Sequence, residues 1–370
     1  MTHRTRLTFA AAWFALLLAA AASAAPQIRV GPYLQHVTQT SITIMWETTE
    51  AAGSRVDYGP TPAFGRSAGS AEPVTIHEVT ITGLEPETRY HYRVASGDAS
   101  SEPATFETAI RPDTPFRFCV WGDSQSHPEV FAPIAAAMAK EKPRLAMCVG
   151  DSVSEGDNYG QWKERLFDPA AALMRTTPVY IAIGNHENNS HWFYDYVSYP
   201  APENYYAFSY GNARFVIVDT QQDYSAQSAQ YQWLEKELAS PEAQHATWLL
   251  VFHHKPAYCE GWDSIAYDGE QDARRYLMPL LEEYAVDMVF NGHAHDYERG
   301  FWNGVHTIIT GGGGGTLDHW VRGIEHIAVS RFAHHYCTVD IAGRELRLRA
   351  LTPEGELLDT VTLRKRPVRP

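Results

Sequence analysis

The sequence predicts a layered α/β domain, with β-sheets flanked by helices, preceded by an all-β sandwich. Three observations carry the prediction. Between residues 27 and 108, polar and apolar residues alternate with the period of a half-buried strand, and no helical stretch interrupts them. Beyond residue 115 the strand-like runs become continuously apolar and alternate with helical stretches, the pattern of strands covered on both faces. Those apolar runs repeatedly end on a Gly-Asp, Gly-Asn or His-bearing step, where open α/β sheets place their reactive side chains.

The elements follow in order. Arg4 and Arg6, an apolar stretch from Leu7 to Ala22 and the small-x-small step Ala22-Ser23-Ala24 read as a signal peptide over residues 1–25, which predicts a secreted or periplasmic protein. Ser41-Ile42-Thr43-Ile44-Met45-Trp46, Val56-Asp57-Tyr58-Gly59, Glu78-Val79-Thr80-Ile81-Thr82 and Arg89-Tyr90-His91-Tyr92-Arg93-Val94 are the alternating strands of the sandwich, assigned to residues 27–110. Arg111-Pro112-Asp113-Thr114-Pro115 reads as a linker into a second domain over residues 115–366. There Phe116–Trp121 runs into Gly122-Asp123, and a helical stretch follows near Val130–Lys140. Leu145–Val149 runs into Gly150-Asp151 and Val179–Ile183 into Gly184-Asn185-His186-Glu187. Trp248–Phe252 runs into His253-His254, and Met288–Phe290 into Asn291-Gly292-His293-Ala294-His295. Four further strands are expected near 305–310, 336–340, 345–350 and 360–364. The run Gly311–Gly315 is expected to bring backbone close to the strand ends.

Composition excludes some functions. A net charge of −14 opposes general nucleic-acid binding, which rests on basic patches. No segment after the leader approaches the run of about 20 apolar residues that a spanning helix needs. The four cysteines, Cys119, Cys148, Cys259 and Cys337, match no zinc spacing. Two sit inside apolar strands, so their pairing stays open and none is given a catalytic role.

The strand ends together present Asp123, Asp151, Asn185, His254, His293 and His295. Zinc, iron and manganese accept carboxylate, amide oxygen and imidazole alike. Six such ligands are too many for one catalytic ion with an open position. They suit two ions sharing a carboxylate, about 3.5–4 Å apart, which polarise a phosphoryl oxygen and activate a water. Each motif alone is weak, since a lone Gly-Asp is commonly a turn or a cap; the conjunction of five, each after a strand, is the signal.

Gly-Asp-Ser (122–124), Gly-Asp (150–151), Gly-Asn-His-Glu (184–187), Val-x-x-His (251–254) and Gly-His-Ala-His (292–295) resemble the ordered motifs of the metallophosphoesterases. His-Ala-His-Asp-Tyr-Glu-Arg (293–299) and Tyr-Asp-Gly-Glu (267–270) resemble the purple acid phosphatases. The sandwich, with Trp46 and Gly-Leu-x-Pro-x-Thr-x-Tyr (83–90), resembles a fibronectin type III module. The resemblance implies a dinuclear-metal phosphoesterase that hydrolyses phosphomonoesters by attack of a metal-bound hydroxide, with Fe, Zn or Mn as the ions and a small phosphorylated substrate. The alternatives are a phosphodiesterase or nucleotidase on extracellular substrates, or a catalytically weakened phosphate-binding or adhesion protein. It implies Asp123 and His295 on one metal, Asp151 bridging, and Asn185, His254 and His293 on the other. His254 is preferred to His253 because it stands two before Pro256. His186 would protonate the leaving group. Gln125, Ser154, His253, Glu187 and Arg299 stand beside these as weak ligands or supporting residues, Glu187 and Arg299 as ion-pair partners. The chain departs from the family in two ways. Ser154 stands where the purple enzymes carry an iron-binding tyrosine, with Gln125 where other relatives carry histidine. Ser264 and Ile265 stand where plant-type enzymes carry a histidine pair. His319, His334, His335, Trp302 and Trp320 receive no role.

Overall fold

The computed structural model describes residues 25–366, so the signal-peptide reading of the leader lies outside the described residues. Six strands form the N-terminal unit: β1 (Ile28–Gln35), β2 (Ser41–Gly59), β3 (Arg66–Thr82), β4 (Arg89–Ser96), β5 (Ala99–Ser100) and β6 (Ala104–Glu107). What reads in the sequence as two strands, 41–46 and 56–59, is the single long β2. Its first half pairs with β1 and its second half with β4, and irregular register near Glu47–Ser54 lets it turn between the two. Trp46 is fully buried, stacks on His77 at 4.6 Å and donates Nε1–H to Ser96. His77 is satisfied on both nitrogens by Thr48 and Ser54, each at 2.8 Å, so it is a core histidine.

The second unit is two packed sheets. β7 (Phe116–Trp121), β8 (Leu145–Cys148) and β9 (Val179–Ile181) run parallel; β19 (Tyr336–Ala342), β20 (Glu345–Leu351) and β21 (Leu357–Arg364) extend that sheet antiparallel from β7. The facing sheet holds β10 (Tyr206–Tyr210), β11 (Ala213–Ile217), β12 (Trp248–Phe252), β14 (Met288–Asn291), β16 (Val305–Thr310), β15 (Tyr297–Trp302) and β18 (Ile327–Arg331), in that spatial order, with β11, β12, β14 and β16 parallel. A two-stranded ribbon, β13 (Gly261–Trp262) with β17 (His319–Trp320), stands apart.

Strand alternation fixes which side chains meet. Phe118 points between the sheets and meets Phe215, Phe252 and Phe290 edge-on at 5.2, 6.5 and 6.3 Å. Trp121 points outward and stacks on Phe131 of the helix Pro128–Lys140. The N-terminal unit packs on this domain through buried tyrosines: Tyr33 Oη donates to the Tyr196 carbonyl at 2.9 Å, and Tyr180 Oη accepts from Val37 N–H at 3.0 Å. All four cysteines are free and buried. No helix among the described residues is long and apolar enough to cross a membrane.

Candidate metal centre

The parallel strands of both sheets aim their C-terminal ends at one place. The loop after β7 carries Asp123, the loop after β8 Asp151 and the loop after β9 Asn185. From the facing sheet, β12 leads to His254 and β14 to His293 and His295. Asp123, Asp151 and His293 all take left-handed backbone, at φ of 57°, 55° and 71°. That conformation costs a non-glycine residue about 1–3 kcal/mol, and surrounding structure must hold it. The holding groups are visible. Asp123 Oδ1 and Oδ2 accept from His293 N–H at 2.9 and 3.0 Å, which ties the two sheets together. Asp151 Oδ1 accepts from His186 N–H at 2.9 Å.

Glu187 holds the loops. It is fully buried and accepts from the backbone N–H groups of Gly184 (2.8 Å), Asp151 (2.9 Å) and Ser152 (2.5 Å). This corrects the expectation of an ion-pair partner: its partners are amides, whose positions a sequence does not display. Gly184 is required by proximity, since a Cβ there would stand 2.1 Å from Asp151 Oδ1. The glycine run does come close to the strand ends: Gly313 N–H bonds the Gly122 carbonyl at 2.9 Å and Gly315 N–H the Asp123 carbonyl at 2.7 Å.

The donor chemistry at the centre calls for positive charge. His254 Nδ1 lies 2.8 Å from the Val149 carbonyl and so carries its proton there. Its Nε2 then faces two acceptors, Asp151 Oδ2 and Asn185 Oδ1, each at 3.1 Å, a place that a proton or a metal cation can fill. Asp151, His254 and His293 offer ligand atoms that all lie within 4.8 Å of one another. Burial would lower the His254 pKa, but Asp151 and Asp123 outweigh it and raise it to about 9. Burial pushes Asp123 well above the usual carboxylate range, whereas His254 overcomes burial at Asp151 and holds it at about 2. Burial and the neighbouring His254 lower His293 to about 2, leaving a neutral imidazole able to ligate.

A second convergence lies beside the first. His295 Nδ1 is fixed by the Thr316 carbonyl at 2.7 Å, and its Nε2 faces Asp123 Oδ1 at 3.6 Å. Gln125 Oε1 is buried with no hydrogen-bond partner and its Nε2 lies 3.3 Å from His295 Nε2. Two groups of carboxylate, amide and imidazole side chains, with a buried amide oxygen lacking a partner beside one, are donor sets that fit two metal ions.

The remaining candidates fall around this core. His186 Nδ1 bonds the Ser154 carbonyl at 2.8 Å, leaving Nε2 free at 4.0 Å from Asp151 Oδ2. Ser154 Oγ donates to the Gln125 carbonyl at 2.9 Å and meets Arg165 at 3.0 Å. His253 is buried behind the site against Asn291 and the Lys255 carbonyl, and burial lowers it to about 4. Arg299 pairs with Asp359 at 2.6 Å, joining the two sheets away from the centre.

Above the centre opens a cleft of about 520 Å³. Asp151, Asn185, His186, His293 and His295 form its floor, and Trp262, Asp263, Leu317, Asp318 and His319 its wall. Sequence reasoning missed the wall. It hangs on the ribbon β13–β17, whose two-residue strands carry no periodic signal.

Residues 116–297 match the calcineurin-like phosphoesterase family, and residues 28–108 match the purple acid phosphatase N-terminal domain. The chain thus joins a purple acid phosphatase N-terminal domain to a calcineurin-like phosphoesterase domain, and its relatives include purple acid phosphatases. A purple acid phosphatase of Glycine max is 28% identical over 309 residues, covering 72% of this chain and 65% of its own length. A phosphoenolpyruvate phosphatase of Allium cepa is 27% identical over 331 residues, covering 78% of this chain and 67% of its own length. The chain thus spans about two thirds of the length of these relatives. Among solved structures, the purple acid phosphatase PPD1 of yellow lupin shares the fold, with a TM-score of 0.81 at 20% identity over 92% of this chain and 74% of its own. As a metallophosphoesterase the domain implies a dinuclear metal centre, and the Asp and His cluster is where its residues could hold one.

Proposed function

We propose that this protein is an exported dinuclear-metal phosphoesterase that hydrolyses phosphomonoesters. The observation that carries the reading is the convergence of His254 Nε2 on Asp151 Oδ2 and Asn185 Oδ1, each at 3.1 Å, where a metal cation would take the place of the Nε2 proton. In this reading Asp123 and His295, with Gln125 as a weak neighbour, would hold one ion, Asn185, His254 and His293 would hold the other, and Asp151 would serve both. Zinc, manganese or iron suit the donor set. Such ions supply Lewis acidity and an activated water.

The chain's own residues do the rest. Backbone hydrogen bonds on His254 Nδ1 and His295 Nδ1 fix the tautomers, so both rings present Nε2 to the centre. His186, anchored at Nδ1 and facing the cleft, holds a proton at Nε2 for the departing alkoxide, a general-acid role suited to imidazole. The leader Arg4–Ala24 supports export. The test is turnover of p-nitrophenyl phosphate with and without a chelator, and in Asp151→Ala and His186→Asn. Chelation and Asp151→Ala should abolish it. His186→Asn should lower it about 10²–10⁴-fold. Turnover indifferent to all three would overturn the reading.

A further inference from the structure

We infer that the ribbon β13–β17 sets substrate choice, selecting monoesters with a flat apolar alcohol and rejecting substrates that carry further negative charge. The inference rests on the phosphoesterase reading of the floor and concerns the wall above it.

Trp262 and His319 are directly paired across the ribbon, so their side chains share a face, and both line the cleft. Trp262 stands over the floor: its ring centroid is 4.9 Å from His293 and 4.3 Å from Tyr267, which in turn packs edge-on to His293 at 5.4 Å. The indole is therefore held by Tyr267 and His293 while remaining partly exposed. Leu317 adds apolar surface to the cleft. The ribbon is anchored from below, because Glu298 Oε1 accepts from the N–H groups of Glu260 and Gly261, each at 2.7 Å. An alcohol leaving a phosphoryl group on the floor would exit past this rigid aromatic face.

Charge supplies the other half. The wall carries two carboxylates, Asp263 and Asp318, and among the described residues no lysine or arginine lines the cleft. The basic groups nearby are engaged elsewhere. Lys255 Nζ lies 3.6 Å from Glu270, Arg322 bonds the Ile265 carbonyl, and Arg165 bonds the Gln125 and Ser126 carbonyls. The site has cation ligands for one phosphoryl group and no lysine or arginine to neutralise a second. A di- or triphosphate would set its outer charge against Asp263 and Asp318.

The experiment compares kcat/KM of wild type, Trp262→Leu, Trp262→Phe and Asp263→Asn on 2-phenylethyl phosphate, ethyl phosphate and ATP. Taking mutant-to-wild-type ratios for each substrate cancels their intrinsic reactivities. Trp262→Leu should lower kcat/KM on the phenylethyl ester about three- to tenfold through KM and leave ethyl phosphate unchanged, with Trp262→Phe restoring most of the loss. Asp263→Asn should raise kcat/KM on ATP about two- to fivefold at low salt, the gain shrinking at high salt, with both monoesters unchanged. Equal losses on both monoesters in Trp262→Leu, or an ATP rate indifferent to Asp263→Asn, would overturn the inference alone. A wild-type protein inert toward all three substrates would overturn the phosphoesterase reading and this inference with it.

Discussion

Replacing Glu187 by glutamine isolates what keeps the metal ligands in place. Glu187 Oε2 accepts from Asp151 N–H and Gly184 N–H, and Oε1 accepts from Ser152 N–H. A glutamine in its best orientation keeps its oxygen at the Oε2 position. Two bonds then survive as neutral ones, each weaker by about 1 kcal/mol. The third becomes a donor facing a donor, leaving a buried amide without an acceptor at about 1–3 kcal/mol. One effect opposes these. Burial raises the Glu187 pKa, so removing a buried charge returns part of the loss. The net expectation is a destabilisation of roughly 2–4 kcal/mol, well beyond the ±0.5 kcal/mol of an ordinary surface change. The assay is urea unfolding at unchanged m-value, with the exposed Glu155→Gln as control. Cation affinity should fall in parallel, because the same bonds set the loops that carry Asp151 and Asn185. A variant within 0.5 kcal/mol of the parent with unaltered cation affinity would refute the reasoning, since the loops would then hold themselves.

Other consequences are equally direct. Gly184→Ala sets a methyl 2.1 Å from Asp151 Oδ1 and should reduce kcat at least tenfold in a folded protein; circular dichroism beside kinetics separates this from unfolding. His77 and His335 are buried and lowered to about 4, so the unfolded chain binds more protons than the folded one between about 6.5 and 4. Stability should therefore be full above pH 6.5 and fall by about 1.4 kcal/mol per pH unit for each histidine as pH drops through that window, a slope that His77→Gln should reduce by one proton's worth. With Ser154 Oγ committed to the Gln125 carbonyl and Arg165, protein reconstituted with ferric iron should show no visible phenolate-to-iron absorption band.

The sequence displays the metal centre well because each ligand candidate ends an apolar run. Asp123, Asp151, Asn185, His254 and His293 each follow a strand of the two sheets within four residues. What supports them is less visible. Glu187 acts on backbone amides, so a carboxylate that reads as an ion-pair partner is the organiser of two loops. The long β2 reads as two strands because its register slips near Glu47–Ser54, and the hairpin β10–β11 went unread between two motif-bearing strands. The cleft wall was hidden for another reason. Trp262 and His319 lie 57 residues apart on strands of two residues each, and only tertiary pairing brings them together. Ligands fixed by strand ends are readable, and surfaces built by loops that meet in space are not.

The most direct test of the two-ion centre is elemental analysis of protein purified from metal-supplemented medium, paired with activity before and after chelation. Two ions per chain, both lost in Asp151→Ala together with phosphatase turnover, is the result this structure predicts. Full turnover by protein stripped of metal, or an Asp151→Ala protein that keeps both ions, would contradict it.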